Sequence, residues 1–410
     1  MTPLNWKWFI AKRLAFSKQS PFSALIIKIA IGAIAISLSV MIVATSIVQG
    51  FKKEVSEKVF GFSGHLVVKA FDQNLSLEDV TPVKKQQDFY PDYSFLPAIK
   101  NIQVYAHKAG ILKTDEAFEG LVFKGISTDF DWDFFGSYLN DGNIFELSDT
   151  ARSDAILLSE FTAQRLKLKV GDKVLAYFPD KRLRYRKFKL SGIYKTGLGD
   201  YDKKIALIDI KHIQKLNKWE ADEVGGFMVT LNKLKDLPNT YDDLYYKYTS
   251  ADLNTQSVRE INPSIFDWLE IQNTNEAIIL ILMLLIGIIN MTTALLILIL
   301  ERTNMIGILK ALGAGNRGLQ MIFLNKAAFI IGFGLLLGNL FGLGICLIQQ
   351  YFEVVKLSEE SYYLSVAPIY INWFWVIGLN VGTFIISLLA LVVPSYFVSW
   401  VNPIKAIRFE

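Results

Sequence analysis

Few groups in this sequence could do chemistry. The three histidines, His65, His107 and His212, lie far apart, with no His-Glu-x-x-His spacing and no cysteine beside them, so they form no zinc-binding pattern. His65 follows Gly64 and fits the entry to a strand. Ser159 in LLSEF lacks the Gly-x-Ser-x-Gly elbow of a hydrolase. GDYD brings Asp200 and Asp202 close enough to share a cation, although Gly199 fits a hydrogen-bonded turn there. No Gly-x4-Gly-Lys-Ser/Thr loop occurs, so the chain has no P-loop for ATP. The reading is of a protein that is not an enzyme, with no catalytic residues and no metal site.

The elements that must carry these residues are unusual. The 410 residues are 52% hydrophobic and still 20% charged, which suits a membrane protein with a large soluble domain. Four apolar stretches supply the excess: Ile29–Val48, Ala277–Leu300, Ala327–Ile348 and Ile371–Val393. About 20 helical residues cross a bilayer core, so each can span it. Allowing for flanks, the spans are expected at 23–50, 271–300, 319–350 and 371–400. The first run is too long for a signal peptide and lacks a small-residue cleavage site, so it is expected to stay as an anchor.

Charge orients the set. Lys7, Lys12, Arg13 and Lys18 occupy segment 1–22 without an acid. The loop between spans two and three has Arg302, Lys310, Arg317 and Lys326 against Glu301, and the tail 401–410 adds Lys405 and Arg408. Loop 351–370 has Lys356 against Glu353, Glu359 and Glu360. By the positive-inside rule both termini and the 301–318 stretch face the cytoplasm, and 51–270 lies outside. That outer domain holds 31 basic and 33 acidic residues, which offers no basic surface for nucleic acid. The single cysteine, Cys346, falls in span three, so the domain is held by its own core without a disulfide.

Within the outer domain, strands are expected at His65–Ala70, Ile102–Leu112 and Phe227–Leu231. Helices are expected at Tyr93–Lys100 and Leu234–Tyr248, and an extended segment at Ala251–Glu260. A β-rich block, about 122–210, contains VGDKVLAYF and KFKLSGIY, two alternating strands joined by a basic turn. The expected fold is four transmembrane helices plus an α/β domain of two lobes, the β-rich lobe inserted in the other. Val48, Phe51, Val55 and Val59 on one side, and Ile265, Trp268 and Leu269 on the other, continue the helical spacing past the spans. The domain is therefore expected to stand on stiff stalks.

Residues 301–324 read ERTNMIGILKALGAGNRGLQMIFL. Met305, Ile308, Leu309 and Leu312 make one apolar stripe of a short helix, Thr303–Leu312. Gly313 and Gly315 can end it, and Asn316 can cap the next helix. The residues alone fit an interfacial helix or a knob that docks in a cytoplasmic partner. Within the spans, Asn290, Thr292, Thr293 and Asn380 are expected to make interhelical hydrogen bonds. Gly332, Gly334, Gly338, Gly342 and Gly344 are expected to form a close-packing surface.

The stretch ERTNMIGILKALGAGNRG resembles the coupling helix of ABC permeases of the mechanotransmission group, which includes MacB, FtsX and the lipoprotein-releasing permeases. The closing VPSYFVSWVNPIKAIRFE is similar to the group's Pro, then Pro-x-x-Ala-Ile/Leu-Arg pattern, at Pro394, Pro403, Ala406, Ile407 and Arg408. VQGFKKEVSEKVFGFSGHLVV, ILLSEFTAQRLKLKVGDKV, KFKLSGIYKTGLGDYDKKIALI and NPSIFDWLEIQN resemble LolC/LolE-type permeases in the same order. Two departures stand out: Met305 replaces the usual acid of the coupling helix, and Ser395 the usual alanine.

The resemblance implies Porter and Sabre lobes and a permease dimer, of two copies or of related chains. It also implies a separate LolD-type ATPase subunit that holds ATP and Mg, in the inner membrane of a two-membrane bacterium. The implied cargo is a triacylated lipoprotein passed to a periplasmic carrier. ATPase coupling is then expected at Arg302, Met305, Ile306, Gly307, Ile308, Lys310, Ala311, Leu312, Gly313 and Arg317. An acyl cavity would draw on Met41, Val48, Phe51, Ile278 and Leu282, which could equally face lipid. The hairpin residues Lys181, Arg182, Arg184, Arg186 and Lys187 are a candidate partner surface, although their loop is shorter than that of carrier-binding permeases. MacB-like export, FtsX-like control of another partner, or a membrane-anchored receptor or enzyme are the rival readings.

Overall fold

The computed structural model describes residues 21–71, 80–179 and 184–400. The N-terminal basic residues, the tail with Pro403, Ala406, Ile407 and Arg408, and Lys181 and Arg182 lie outside them. Contacts divide the chain into two units. One takes in Met1–Lys52, Trp268–Lys356 and Val366–Glu410, and the other Lys53–Asp267 and Leu357–Ser365.

The first unit is helical. Among the described residues, four helices are long and apolar enough to cross a membrane: Ala24–Ser63, Pro263–Glu301, Asn316–Phe352 and Trp373–Trp400, the last built from three consecutive helical segments. In lipid the tails are as apolar as leucine, so helices associate through close packing and interhelical hydrogen bonds. Both are present. Ala30, Ile34, Leu38, Met41 and Ile42 of the first helix join Met291, Ala294, Leu295, Leu298 and Ile299 of the second in one buried core. A Cβ added to Gly334, Gly338 or Gly342 would meet atoms of Ile34, Leu38 and Ser39 at 2.7, 2.9 and 3.0 Å. Gly332 and Gly344 have nothing within 4 Å, so the close-packing face is the i, i+4, i+8 set alone. Ser39 Oγ donates to Gly338 O at 2.9 Å along that seam.

Asn380 meets Asn339 across helices, with amide bonds of 2.7 and 3.0 Å in the two directions. Thr293, by contrast, donates to Ile289 O of its own helix. A hydroxyl one turn from a carbonyl satisfies itself without a neighbour.

The second unit is built on one mixed sheet. Its strands are β1 (Leu66–Ala70), β3 (Ile99–Lys113), β4 (Phe118–Ile126), β5 (Leu139–Gly142), β6 (Ala155–Ser159), β7 (Lys173–Phe178), β8 (Arg184–Tyr194), β9 (Ile205–Asp209), β11 (Gly226–Leu231) and β12 (Leu253–Ser257). The order is β12-β1-β11-β3-β4-β9-β6-β8-β5, with β7 pairing β3 and β8. β2 (Val83–Lys84) and β10 (Glu223–Val224) pair separately. Strands of the β-rich block thus continue the sheet begun by β1, β11 and β3. Alternation along the strands sends Leu66, Val68, Ile102, Val104, Phe123, Ile156, Leu158, Phe227 and Val229 into one large core. On β1, β3 and β11 the opposite face carries a small cluster, Val67, Tyr105 and Met228.

Local chemistry explains the departures from expectation. Tyr93–Lys100 is not a helix. Leu96 N bonds Tyr93 O and Ile99 N bonds Leu96 O, giving successive turns, while Pro97 has no N–H and disfavours the helical region at Leu96. The extended segment expected to reach Glu260 stops at Ser257. There Ser257 and Glu260 form a capping box that opens the short helix Val258–Ile261. The segment Leu234–Tyr248 is helical as expected, with Pro238 in the first turn of Leu237–Asp243.

Candidate functional site

The helix Pro263–Glu301 stops at Arg302, whose φ of −100° and ψ of 18° turn the chain into a short helix, Thr303–Ala311. Gly313, at φ +90°, then reverses the chain in a conformation that L side chains rarely adopt. Gly315 is extended instead and takes the cap position, with Asn316 already the first residue of the next helix. The turn therefore rests on one glycine, and Asn316 does not cap.

The rotation of the short helix differs from the single stripe expected. Ile306 and Gly307 are buried, and Met305 and Leu309 pack on the same core. Ile308 is 48% exposed and Leu312 80% exposed. Asn304, Ala311, Gly313, Asn316 and Arg317 are exposed as well. A helix with apolar residues on most of its circumference can seat either arc. This one seats the Met305–Ile306–Leu309 arc and leaves an apolar, singly basic arc uncovered in this chain.

Lys310 faces inward. Its Nζ donates to Ser399 O at 3.0 Å, and burial lowers its pKa from the ordinary lysine value. Gln320 Nε2 donates to Ser399 Oγ at 3.2 Å. The short helix is thus braced at one point by the helical turn Phe397–Trp400 and the start of Asn316–Phe352. No spacing in the sequence signals this brace, because its partners lie far apart along the chain.

The residues read as an acyl cavity differ in burial. Met41 is buried in the helical core, Val48 is half-buried and Phe51 lies edge-on to Trp268 at 6.2 Å. Ile278 and Leu282 are about half exposed, on a stripe with Ile281, Leu285, Ile286 and Ile289. Of the basic hairpin, Arg184 donates to Leu216 O at 2.6 Å, Arg186 to Tyr185 O at 2.9 Å, and Lys187 is exposed.

Three of the remaining candidates make contacts that hold local structure. His65 Nδ1 accepts from Leu231 N at 3.2 Å, its ring stacks on Phe60 at 4.2 Å, and burial pushes its pKa down to about 4. Asp202 accepts from Thr196 N, Thr196 Oγ1 and Gly197 N, which fixes the turn. Ser159 caps the helix Glu160–Arg165. Among the described residues no cluster of three His, Cys, Asp or Glu could hold a metal.

One group was missed in the sequence. Lys124, on β4, is 1% exposed and donates to Phe62 O in the last turn of the helix Pro21–Ser63. Burial lowers its pKa to about 7. FKGI places a lysine on a strand, but its burial comes from β3, β9 and Phe62, neighbours that no local spacing names.

The MacB-like periplasmic core domain family matches residues 29–244, more than half of the chain. The chain belongs to this family. The FtsX-like permease C-terminal family matches residues 277–403, which take in the short helix and its brace. Among curated relatives, the lipoprotein-releasing system transmembrane protein LolC of Xylella fastidiosa is 22% identical, over 97% of both chains. LolC of Neisseria meningitidis is 23% identical over 98% of this chain and 99% of that one. LolE of Haemophilus influenzae is 21% identical over 98% and 99%.

Proposed function

We propose that this chain is the transmembrane permease subunit of an ABC-type lipoprotein-releasing complex. It would couple ATP hydrolysis by a separate subunit to extraction of lipoproteins from the inner membrane. The observation that carries this reading is the end-to-end match to LolC and LolE proteins, at 97% or more of each chain. The short helix supports it, since a braced helix with an uncovered apolar arc suits a partner that pushes on it. On this reading both termini and 301–318 are cytoplasmic, 51–270 is the periplasmic domain, and ATP and Mg bind the partner ATPase. The Porter-like lobe corresponds to the β12-β1-β11-β3 side of the sheet and the Sabre-like lobe to the block around β6, β7 and β8.

Ile308, Leu312 and Arg317 would meet the ATPase, while Lys310 holds the helix to Ser399. The helices Pro21–Ser63 and Pro263–Glu301 are each unbroken over 43 and 39 residues, so strain entering one end is not absorbed by a loop. The Ile278–Ile289 stripe is the surface for a second permease chain or for acyl chains. The basic hairpin would serve a periplasmic partner.

The test is gentle purification of the chain in detergent followed by mass spectrometry of retained proteins and acylated species. Retention of an ABC ATPase together with triacylated lipoproteins is expected. An ATPase without lipoproteins would move the cargo to a MacB-like or FtsX-like role, and no ATPase would overturn the reading.

A further inference from the structure

An ammonium group buried without a neutralising carboxylate is costly, and an inward position on a strand ordinarily holds an apolar residue. Lys124 breaks that rule inside the second unit. Its Nζ donates to Phe62 O and lies 5.8 Å from the Phe130 ring centre, and among the described residues no acid balances it. What it satisfies is the end of a helix. The last carbonyls of an α-helix lack intrahelical donors and carry the negative end of its dipole, which favours a cation there.

The rest of the same helical turn is held as tightly. Gly64, at φ +71°, closes the helix by donating to Phe60 O at 2.7 Å. A Cβ on Gly61 would fall 2.2 Å from the Phe134 ring. The Phe62 ring stacks on Tyr201 at 4.7 Å and meets Phe135 edge-on at 5.2 Å. Tyr201 Oη lies 3.4 Å from Ser63 Oγ and donates to Asn262 Oδ1 at 2.8 Å, directly before the helix that begins at Pro263. One tyrosine thus touches the end of one long helix and the start of the other.

We propose that Lys124 is a positioning residue for transport: it pins the end of the helix Pro21–Ser63 to the middle of the sheet. Motion of that helix then moves β4 instead of being lost at the joint. The donor works as ammonium or as amine, since either form carries an N–H for Phe62 O. The proposal rests on the permease reading and asks for a property that a packing role does not supply.

The test uses the whole complex, reconstituted in proteoliposomes with its ATPase and lipoprotein, and reads lipoprotein released per ATP hydrolysed. Lys124→Met removes the donor at similar volume. It is expected to keep ATPase association, hydrolysis rate and melting temperature, and to lower release per ATP at least tenfold. Unchanged release per ATP would overturn the proposal. A fall in melting temperature with parallel loss of both activities would also overturn it, because that is what a purely structural lysine predicts. Should Lys124→Met fail to accumulate, Tyr201→Phe decides: it deletes the oxygen beside Ser63, in the same helical turn that Lys124 holds, and a severalfold fall in release per ATP supports a fixed joint at that turn, while none overturns it. A wild-type complex that hydrolyses ATP but releases no lipoprotein counts against the permease reading and is distinguished by that control.

Discussion

Lys310 and Arg317 carry the same charge seven residues apart, yet they face different neighbours. Lys310 donates to Ser399 O, whereas Arg317 is exposed just past the turn at Gly313. Arg317→Glu is therefore expected to lower co-purification of the ATPase at least fivefold at low salt, with membrane insertion unchanged. Quantitative pull-down from solubilised membranes checks it, and the loss should shrink as salt screens the repulsion. The histidines make a second prediction at this scale. Burial pushes His65 down to about 4 and His107 to about 3, both below the ordinary 6.5 of the unfolded chain. Between those values the unfolded state binds more protons. Their stabilising contribution is present above pH 6.5 and is lost as pH falls towards 4, at up to about 1.4 kcal/mol per pH unit for each. Asp129 and Asp202, raised by burial, work the other way, so the comparison must be made against a variant. His65→Asn should flatten the slope by about one proton in unfolding measured at pH 7, 6 and 5.

At the scale of elements, the glycines of Asn316–Phe352 divide cleanly. Gly338 faces Leu38 and Ala35 across a gap that admits no Cβ, while Gly344 faces open space. Gly338→Leu is expected to cost about 1–3 kcal/mol through overpacking, visible as a lower melting temperature of the detergent-solubilised chain. Gly344→Ala should leave that temperature unchanged or raise it slightly. The same elements show what can be read without coordinates. The four long apolar helices, the short helix beginning at Thr303, the break at Gly313 and the β7–β8 hairpin all follow from periodicity and turn chemistry, because each depends on near neighbours. The seated arc of the short helix does not, since Met305, Ile306, Ile308, Leu309 and Leu312 are alike to any periodicity. Nor does Tyr93–Lys100, where Asp92 and Pro97 outweigh a helical pattern. Lys310 with Ser399, and Lys124 with Phe62, are legible only once distant strands and helices are in place.

For the whole molecule, motif spacing offered neither a P-loop nor a zinc-binding pattern, and the order of several motifs pointed to the family. The sheet was harder, because β3 pairs not only with the adjacent β4 but also with the distant β7 and β11, and register at such distances leaves no local trace. The second unit also includes Leu357–Ser365, where Tyr363 O accepts from Lys58 Nζ at 3.2 Å and Glu359 lies 3.5 Å from Lys195. That short segment is made roughly 100 residues after Asp267, with two long apolar helices between them. A ribosome adding about 5–20 residues per second reaches it some 5–20 seconds late. The domain therefore waits, nearly assembled, for its last piece, and nascent chains stalled before it hold a structure with an open seam.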